Sequence, residues 1–276
     1  MTADLHMHTV YSDGTLTPQT VVDCAESAGL GLFAVTDHDN VSAYAEVAYL
    51  AKSKGIKTVT GIEVSAYDNG IKFHTLGYGI DLEKFAPFQK KLYDGSLERA
   101  KDIVLKLNNL GFGISMEDVL AERYSSTVPV HGAHVARAMI KKGFVESFEA
   151  FFKNFLFRGK PAFSCIQRPT SEEAVRAICE AGGLAVLAHP GRIEADAETL
   201  KSKIESLALC GLGGIEVYYS THTNEQTAYY ENLAESLNLL KTGGSDTHTL
   251  GFGGRRVIGQ PRFEPSAFLL KRLNVY

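Results

Sequence analysis

Cysteine is scarce in this chain, with 4 among 276 residues, and no two of them form a Cys-x-x-Cys pair. Cys24, Cys179 and Cys210 fall in apolar helical patterns and Cys165 stands alone, which argues against a zinc ribbon or a dithiol redox motif. No basic region followed by an apolar core opens the sequence, so no secretory leader is expected. Nor does any apolar run approach the length of a membrane span. Excess positive charge is missing too. A formal net charge of −4 creates no global field for long nucleic acid or an anionic membrane. There is no internal repeat and no low-complexity stretch. The expectation is a reduced, cytoplasmic protein of ordinary composition, 45% hydrophobic and 22% charged. Its length suits one large domain, or one domain carrying an insertion.

What the chain does have is histidine and carboxylate in ordered places. His6 and His8 alternate with Leu5 and Met7, the period of a half-buried strand, so both imidazoles share one side. Asp13-Gly14 places a carboxylate on a turn just beyond. Thr17-Pro18 reads as an N-cap and first helical position. The apolar run 32–35 suits a parallel strand covered on both faces, and it delivers Thr36-Asp37-His38-Asp39. Asn40 is expected to cap a second helix. A third strand over 58–64 carries Glu63 and a fourth over 71–78 carries His74. From about 82 to 159 the rhythm gives way to helical patterning, with His131 and His134 at the start of one helix. It resumes with a helix expected to be capped by Ser171. Strands follow at 184–188, 214–218 and near 240, the first ending at His189-Pro-Gly-Arg192 and the last at Asp246-Thr-His248. This predicts an α/β barrel in two parts, 1–81 and 161–276, with a helical insertion at 82–160 covering one end.

His6, His8, Asp13, His38, Glu63, His74, His189, Asp246 and His248 nearly all fall at or just after expected strand ends, where barrel enzymes keep their chemistry. Histidines that merely pack a core would not track strand ends. Imidazole with carboxylate and no thiolate suits manganese, iron or zinc in a hydrolytic site. So many candidate ligands exceed the needs of one ion, which points to two or three divalent ions bridged by a carboxylate.

His6-x-His8, Ser12-Asp13-Gly14, Thr36-Asp37-His38-Asp39, Gly61-Ile-Glu63, His189-Pro190 and Ser245-Asp246-x-His248, in that order over nearly the whole chain, resemble the motifs of the PHP family, named for polymerases and histidinol phosphatase. The resemblance implies a distorted (β/α)7 barrel with a trinuclear metal site. His6, His8, Asp246 and a bridging Glu63 would hold one ion; Glu63, His74 and His134 a second; Asp13, His38 and His248 a third. Ala133-His134-Val-Ala-Arg137 resembles the Thr-His-x-Ala-Arg pattern of one subgroup, with His131 as the neighbouring rival to His134. The insertion, Arg158-Gly-Lys-Pro161 and the turn at 189–192 resemble small stand-alone members. Those members remove phosphate from nucleoside 3′,5′-bisphosphates, and some trim short RNA from its 5′ end.

The implied chemistry is hydrolysis of a phosphomonoester of a small nucleotide, by water activated between metal ions beside Glu63. Arg137, Arg192 and Lys160 would contact phosphate. His189 would serve either as general acid or as a hydrogen-bonding residue for substrate, and Asp37 and Asp39 would orient imidazoles from behind. Glu216, His222, Tyr218 and Tyr219 read as rim or packing residues. Rival readings are a histidinol-phosphate phosphatase, a 5′–3′ exoribonuclease on short RNA, and a non-catalytic module that binds metal or nucleotide.

Overall fold

A computed structural model describes residues 1–250 and 257–275. Strands β1 (Ala3–Asp4), β2 (Leu32–Phe33) and β3 (Lys57–Thr58) form a parallel sheet in that order, connected by helices α1 (Pro18–Ser27) and α2 (Tyr44–Ser53). Thr17 caps α1 by accepting from Thr20 N, with Pro18 first in the helix, as the sequence predicts. The start of α2 differs from expectation. Asn40 accepts from Ser42 N and donates to Tyr11 O, so the helix begins at Tyr44 without a side-chain cap.

The single strand expected over 58–64 divides. After β3, strand β4 (Gly61–Asp68) pairs antiparallel with β5 (Ile71–Tyr78) through a link of only Asn69 and Gly70, at φ 50° and 81°. Positive φ at both residues is the hairpin geometry that Asn-Gly favours, and so short a link cannot be a crossover between parallel strands. β5 is also antiparallel to β6 (Leu184–Leu187). Parallel pairing returns for β6, β7 (Gly214–Tyr219) and β8 (Leu240–Gly244). The fold is therefore mixed α/β, with a reversed strand inside the larger sheet.

Between β5 and β6 lie α3 (Leu82–Asn109), α4 (Met116–Leu120), α5 (Gly132–Lys141), α6 (Phe148–Phe151) and a π-helical turn at Phe152–Leu156. Ile103, Leu107, Val135, Met139 and Phe151 share one buried cluster there. Helices α7 (Ser171–Glu180), α8 (Ala197–Leu209) and α9 (Asn224–Ser236) send Ile178, Ile204 and Leu233 into the cluster on the outer face of the larger sheet. Thr170, rather than Ser171, caps α7, and Ser171 N donates to Asp68. A last helix, α10 (Ala267–Arg272), contributes Leu269 to a core holding Leu32, Leu76 and Val186, so both sheets share it. No helix among the described residues is long and apolar enough to cross a membrane.

The two sheets meet at both edges. A bridge pairs His38 with Glu63. On the other side Leu5 N donates to Gly243 O, Asp246 N to His6 O and His8 N to Thr247 O, at 3.1, 2.7 and 2.9 Å.

Candidate metal centre

Most of the expected ligands lie on a strand or just past its end, while Asp13 sits on a turn and His134 on α5. From Asp4, the last residue of β1, the backbone runs on through His6 and His8. The buried Asp4 carboxylate accepts from His6 N (3.2 Å), Ser245 N (3.0 Å) and Gly259 N (2.8 Å), stitching this segment to the end of β8. The approach is so close that a Cβ on Gly244 would collide with the Cβ and backbone nitrogen of His6. β4 supplies Glu63 and β5 supplies His74, while His38, His189 and Asp246-Thr-His248 follow β2, β6 and β8. Asp39, His189 and Asp246 hold φ of 53°, 26° and 53°. Such backbone costs energy for non-glycine residues and persists where surrounding structure enforces it.

Glu63 is the hub, and it is fully buried. Its Oε2 lies 3.0 Å from His38 Nδ1 and 3.2 Å from Nε2 of both His6 and His8. Its Oε1 lies 2.6 Å from His74 Nδ1 and 2.9 Å from His189 Nε2, nitrogens 3.2 Å apart. Asp246 Oδ1 stands 3.2 Å from His8 Nε2, 3.6 Å from His6 Nε2 and 3.3 Å from His248 Nδ1. Asp13 stands 3.4 Å from His248 Nε2 and 3.9 Å from His38 Nε2. Donor atoms within 4.8 Å of one another make three overlapping groups: His6, His8, Glu63 and Asp246; His38, Glu63 and His74; His8, Asp13, His38 and His248. The first is wholly buried. The last opens outward, with the Asp13 and His248 side chains 22% and 26% exposed.

These donors fit divalent metal. His6 Nε2, His8 Nε2, His38 Nδ1 and Glu63 Oε2 are buried without a hydrogen-bond partner, although each nitrogen lies about 3 Å from that oxygen. Their lone pairs and protons are misaligned for hydrogen bonds. Two ligands each about 2.1 Å from one ion, at a right angle, stand about 3 Å apart in this way. Charge agrees. Burial favours the neutral acid, yet His38, His74 and His6 hold Glu63 well below the usual carboxylate range. Against its own burial, Asp246 is held low by His6 and His248. Burial opposes the His8 cation too, but Asp246 and Glu63 push it up to about 10. His74 goes the other way, its burial outweighing Glu63 and taking it down to about 3. The cage is anionic and asks for cations.

His134 lies apart from these groups. Its Nδ1 accepts from His131 N across the first turn of α5, and its ring packs 5.7 Å from that of His131. His131 comes nearer, its ring 5.9 Å from that of His38. His189 has its Nε2 on Glu63 beside His74, which is the place expected of His134. Arg137 donates to the carbonyl oxygens of Asp13 and Gly14 and faces the Phe148 ring. Arg192 donates to the Tyr219 hydroxyl (3.0 Å) and to Asp246 (3.3 Å), with its side chain 47% exposed. Lys160 is exposed, its backbone nitrogen bonded to Phe157 O.

Neither aspartate flanking His38 orients an imidazole by a hydrogen bond. Asp37 accepts from Thr9 N, Thr9 Oγ1 and Ser12 Oγ, holding the turn before Asp13. Asp39 accepts from Ser65 N and Arg168. The orienting group is Glu216, expected from the sequence only as a rim residue: it meets His6 Nδ1 at 2.8 Å and accepts from His189 N at 2.7 Å. Tyr219 also belongs here, donating to Asp246 at 2.6 Å.

This centre and fold define a metal-dependent hydrolase, and comparison with known proteins supplies its family. Residues 4–154 match the PHP domain model. The chain belongs to the PHP domain family, and it is a phosphoesterase. It is 34% identical to a 3′,5′-nucleoside bisphosphate phosphatase of Chromobacterium violaceum, over 92% of this chain and 90% of that one. It is 33% identical to a phosphoribosyl 1,2-cyclic phosphate 1,2-diphosphodiesterase of Eggerthella lenta, over 90% and 94%. Among solved structures, an amidohydrolase from Chromobacterium violaceum with bound sulfate and no metal superposes with a TM-score of 0.85. The two are 31% identical, and the match covers 98% of this chain and 94% of that one.

Proposed function

We propose that the protein hydrolyses a phosphomonoester of a small nucleotide, preferring a nucleoside that carries phosphate on both its 3′ and 5′ oxygens. The observation that carries this reading is Glu63, one buried carboxylate with nitrogens of five histidines around its two oxygens. Similarity to a bisphosphate phosphatase over nearly the whole chain supports the substrate class. Sulfate in the solved relative is a tetrahedral dianion shaped like phosphate.

Two or three ions fit this set, manganese first, with iron and zinc as rivals. His6, His8, Glu63 and Asp246 would hold one ion, and Glu63, His74 and His189 a second, His189 standing in for His134. Asp13, His38 and His248 would hold a third. Ions bound there supply positive charge against the phosphate oxygens and lower the pKa of water. Glu216 fixes the His6 ring through Nδ1 and so keeps Nε2 turned inward. Arg192, steadied by Tyr219 and Asp246, has donors left over at the rim for a phosphate oxygen. Arg137 acts indirectly, by setting the turn that carries Asp13. Lys160 has no place in this arrangement.

On this reading the joined sheets form a distorted (β/α)7 barrel from 1–81 and 161–276, with 82–160 as a helical cover that confines the pocket to small substrates. A reducing, cytoplasmic setting agrees with all four cysteines being free. The second relative favours a rival reading, hydrolysis of a cyclic phosphodiester. Phosphate release, measured alongside elemental analysis, separates the two. The panel holds adenosine 3′,5′-bisphosphate, AMP, histidinol phosphate, a short 5′-phosphorylated RNA and a ribosyl cyclic phosphate. Fastest release from the bisphosphate is expected. Turnover of only histidinol phosphate, RNA or the cyclic ester overturns the substrate, and turnover of none leaves a binding module.

A further inference from the structure

The turn that carries His189 and Arg192 is held at three points by β7 and the segment after it. Glu216 accepts from His189 N at 2.7 Å, and the Tyr219 hydroxyl accepts from Arg192 at 3.0 Å. Between these two, Gly191 N donates to Nε2 of His222 at 3.2 Å. His222, expected from the sequence only at the rim, is joined to the metal centre through this backbone bond.

The bond exists in one state of the ring. His222 Nδ1 lies 2.9 Å from the Val217 carbonyl oxygen, which can only accept, so Nδ1 carries the proton and Nε2 offers its lone pair. The other neutral tautomer and the cation would each set an Nε2–H against the Gly191 N–H, donor facing donor. Burial pushes His222 below its ordinary value, against the Val217 carbonyl and Glu216, and His189 adds to the lowering. The Tyr219 and Tyr230 rings, each 5.2 Å away, pack against the imidazole.

The turn fits closely against this ring. A Cβ at Gly191 would stand 2.8 Å from His222 Cδ2 and 2.9 Å from Gln226 Nε2. Two residues earlier His189 holds φ 26° and ψ 60°, a backbone state that persists only where its surroundings impose it.

We propose that His222 is a positioning residue of the metal centre: neutral, with its proton fixed on Nδ1, it holds Gly191 and thereby sets His189 and Arg192, touching neither metal nor substrate itself. The inference rests on the reading that gives His189 to the second ion.

The test compares His222→Phe, which keeps a ring against Tyr219 and Tyr230 but accepts nothing, with His222→Gln, whose amide oxygen can take the Gly191 N–H. Manganese affinity is read by competition with a chelator, and kcat and KM on adenosine 3′,5′-bisphosphate. His222→Phe is expected to lose about tenfold in manganese affinity and about tenfold in kcat/KM, and His222→Gln to recover most of both. Wild-type values in His222→Phe overturn the proposal. So does a His222→Gln no better than His222→Phe, because packing would then be the whole role. Nitrogen NMR of the metal-free wild type, with the His222 signals assigned by their loss in His222→Gln, reads the ring directly. A proton on Nδ1 sustains the assignment, even where His222→Phe fails to fold, and a proton on Nε2 refutes it. No release from the bisphosphate overturns the substrate reading alone, and manganese affinity still decides His222. Unchanged manganese affinity in His189→Ala overturns the second-ion reading instead, and the position of the ring proton then decides His222.

Discussion

Two pairs of buried histidines, His6 with His8 and His131 with His134, behave in opposite ways. Around Glu63, His6 and His8 are fully buried. At the start of α5, His131 and His134 are buried as well, each with an unpartnered Nε2. The difference is the carboxylates. Among the described residues, neither α5 histidine makes an ion pair with an acid, whereas His8 meets both Glu63 and Asp246. Burial, with Arg137 nearby, takes His134 down to about 4, while the two carboxylates push His8 up to about 10. Burial makes a histidine neutral, as it does His74 even beside Glu63. His8 departs from this because two buried carboxylates meet the same nitrogen.

That contrast can be broken at several points. Glu63→Gln carries the largest effect: phosphate release should fall by roughly 10²- to 10³-fold or more, with bound metal falling in parallel by elemental analysis. Full activity with the metals still in place would falsify the role given to Glu63. Next comes a paired substitution. His189→Ala is expected to lower metal stoichiometry, whereas His134→Ala leaves it intact and costs stability alone; the reverse result hands the second site back to His134. Glu216→Gln should weaken metal affinity about 10- to 100-fold without removing a ligand, as read by competition with a chelator. Unaltered affinity would mean that the Glu216 contact to His6 is idle.

The smallest effect is on stability against pH. The folded-state pKa of His134, about 4, lies below the ordinary 6.5, so the unfolded chain takes up a proton that the folded chain refuses. Its contribution to stability is therefore whole above pH 6.5 and is lost as pH falls toward 4. In metal-free protein His134→Gln should flatten the fall in melting temperature across that window; an equally steep fall shows that burial does not govern this residue.

Much of the centre was legible because strand alternation is short-range. His6 and His8 share a face by period two, and Asp246 and His248 do the same. The same rule, applied to neighbours, explains why Asp37 misled: next to His38 in an extended segment, it points the other way, to Thr9 and Ser12. Glu216 left a readable trace that went unused. A carboxylate between Ile215 and Val217 in a buried strand needs a partner, and its partner is His6. The hairpin was equally available in Asn69-Gly70, but the strand–helix rhythm overrode it. His189 was not readable as a neighbour of His74, because its placement depends on backbone at φ 26° and ψ 60°, which no side-chain pattern encodes.

The Gly244–His6 contact also has a meaning in time. The bond from Ser245 Oγ to His6 O spans 239 residues, so the two halves of the first metal group are made far apart in time. His6 and His8 are made long before β8, whose end supplies the backbone partners along their edge. The first metal group is therefore complete only when β8 is in place, because Asp246 and the backbone that covers His6 come from its end.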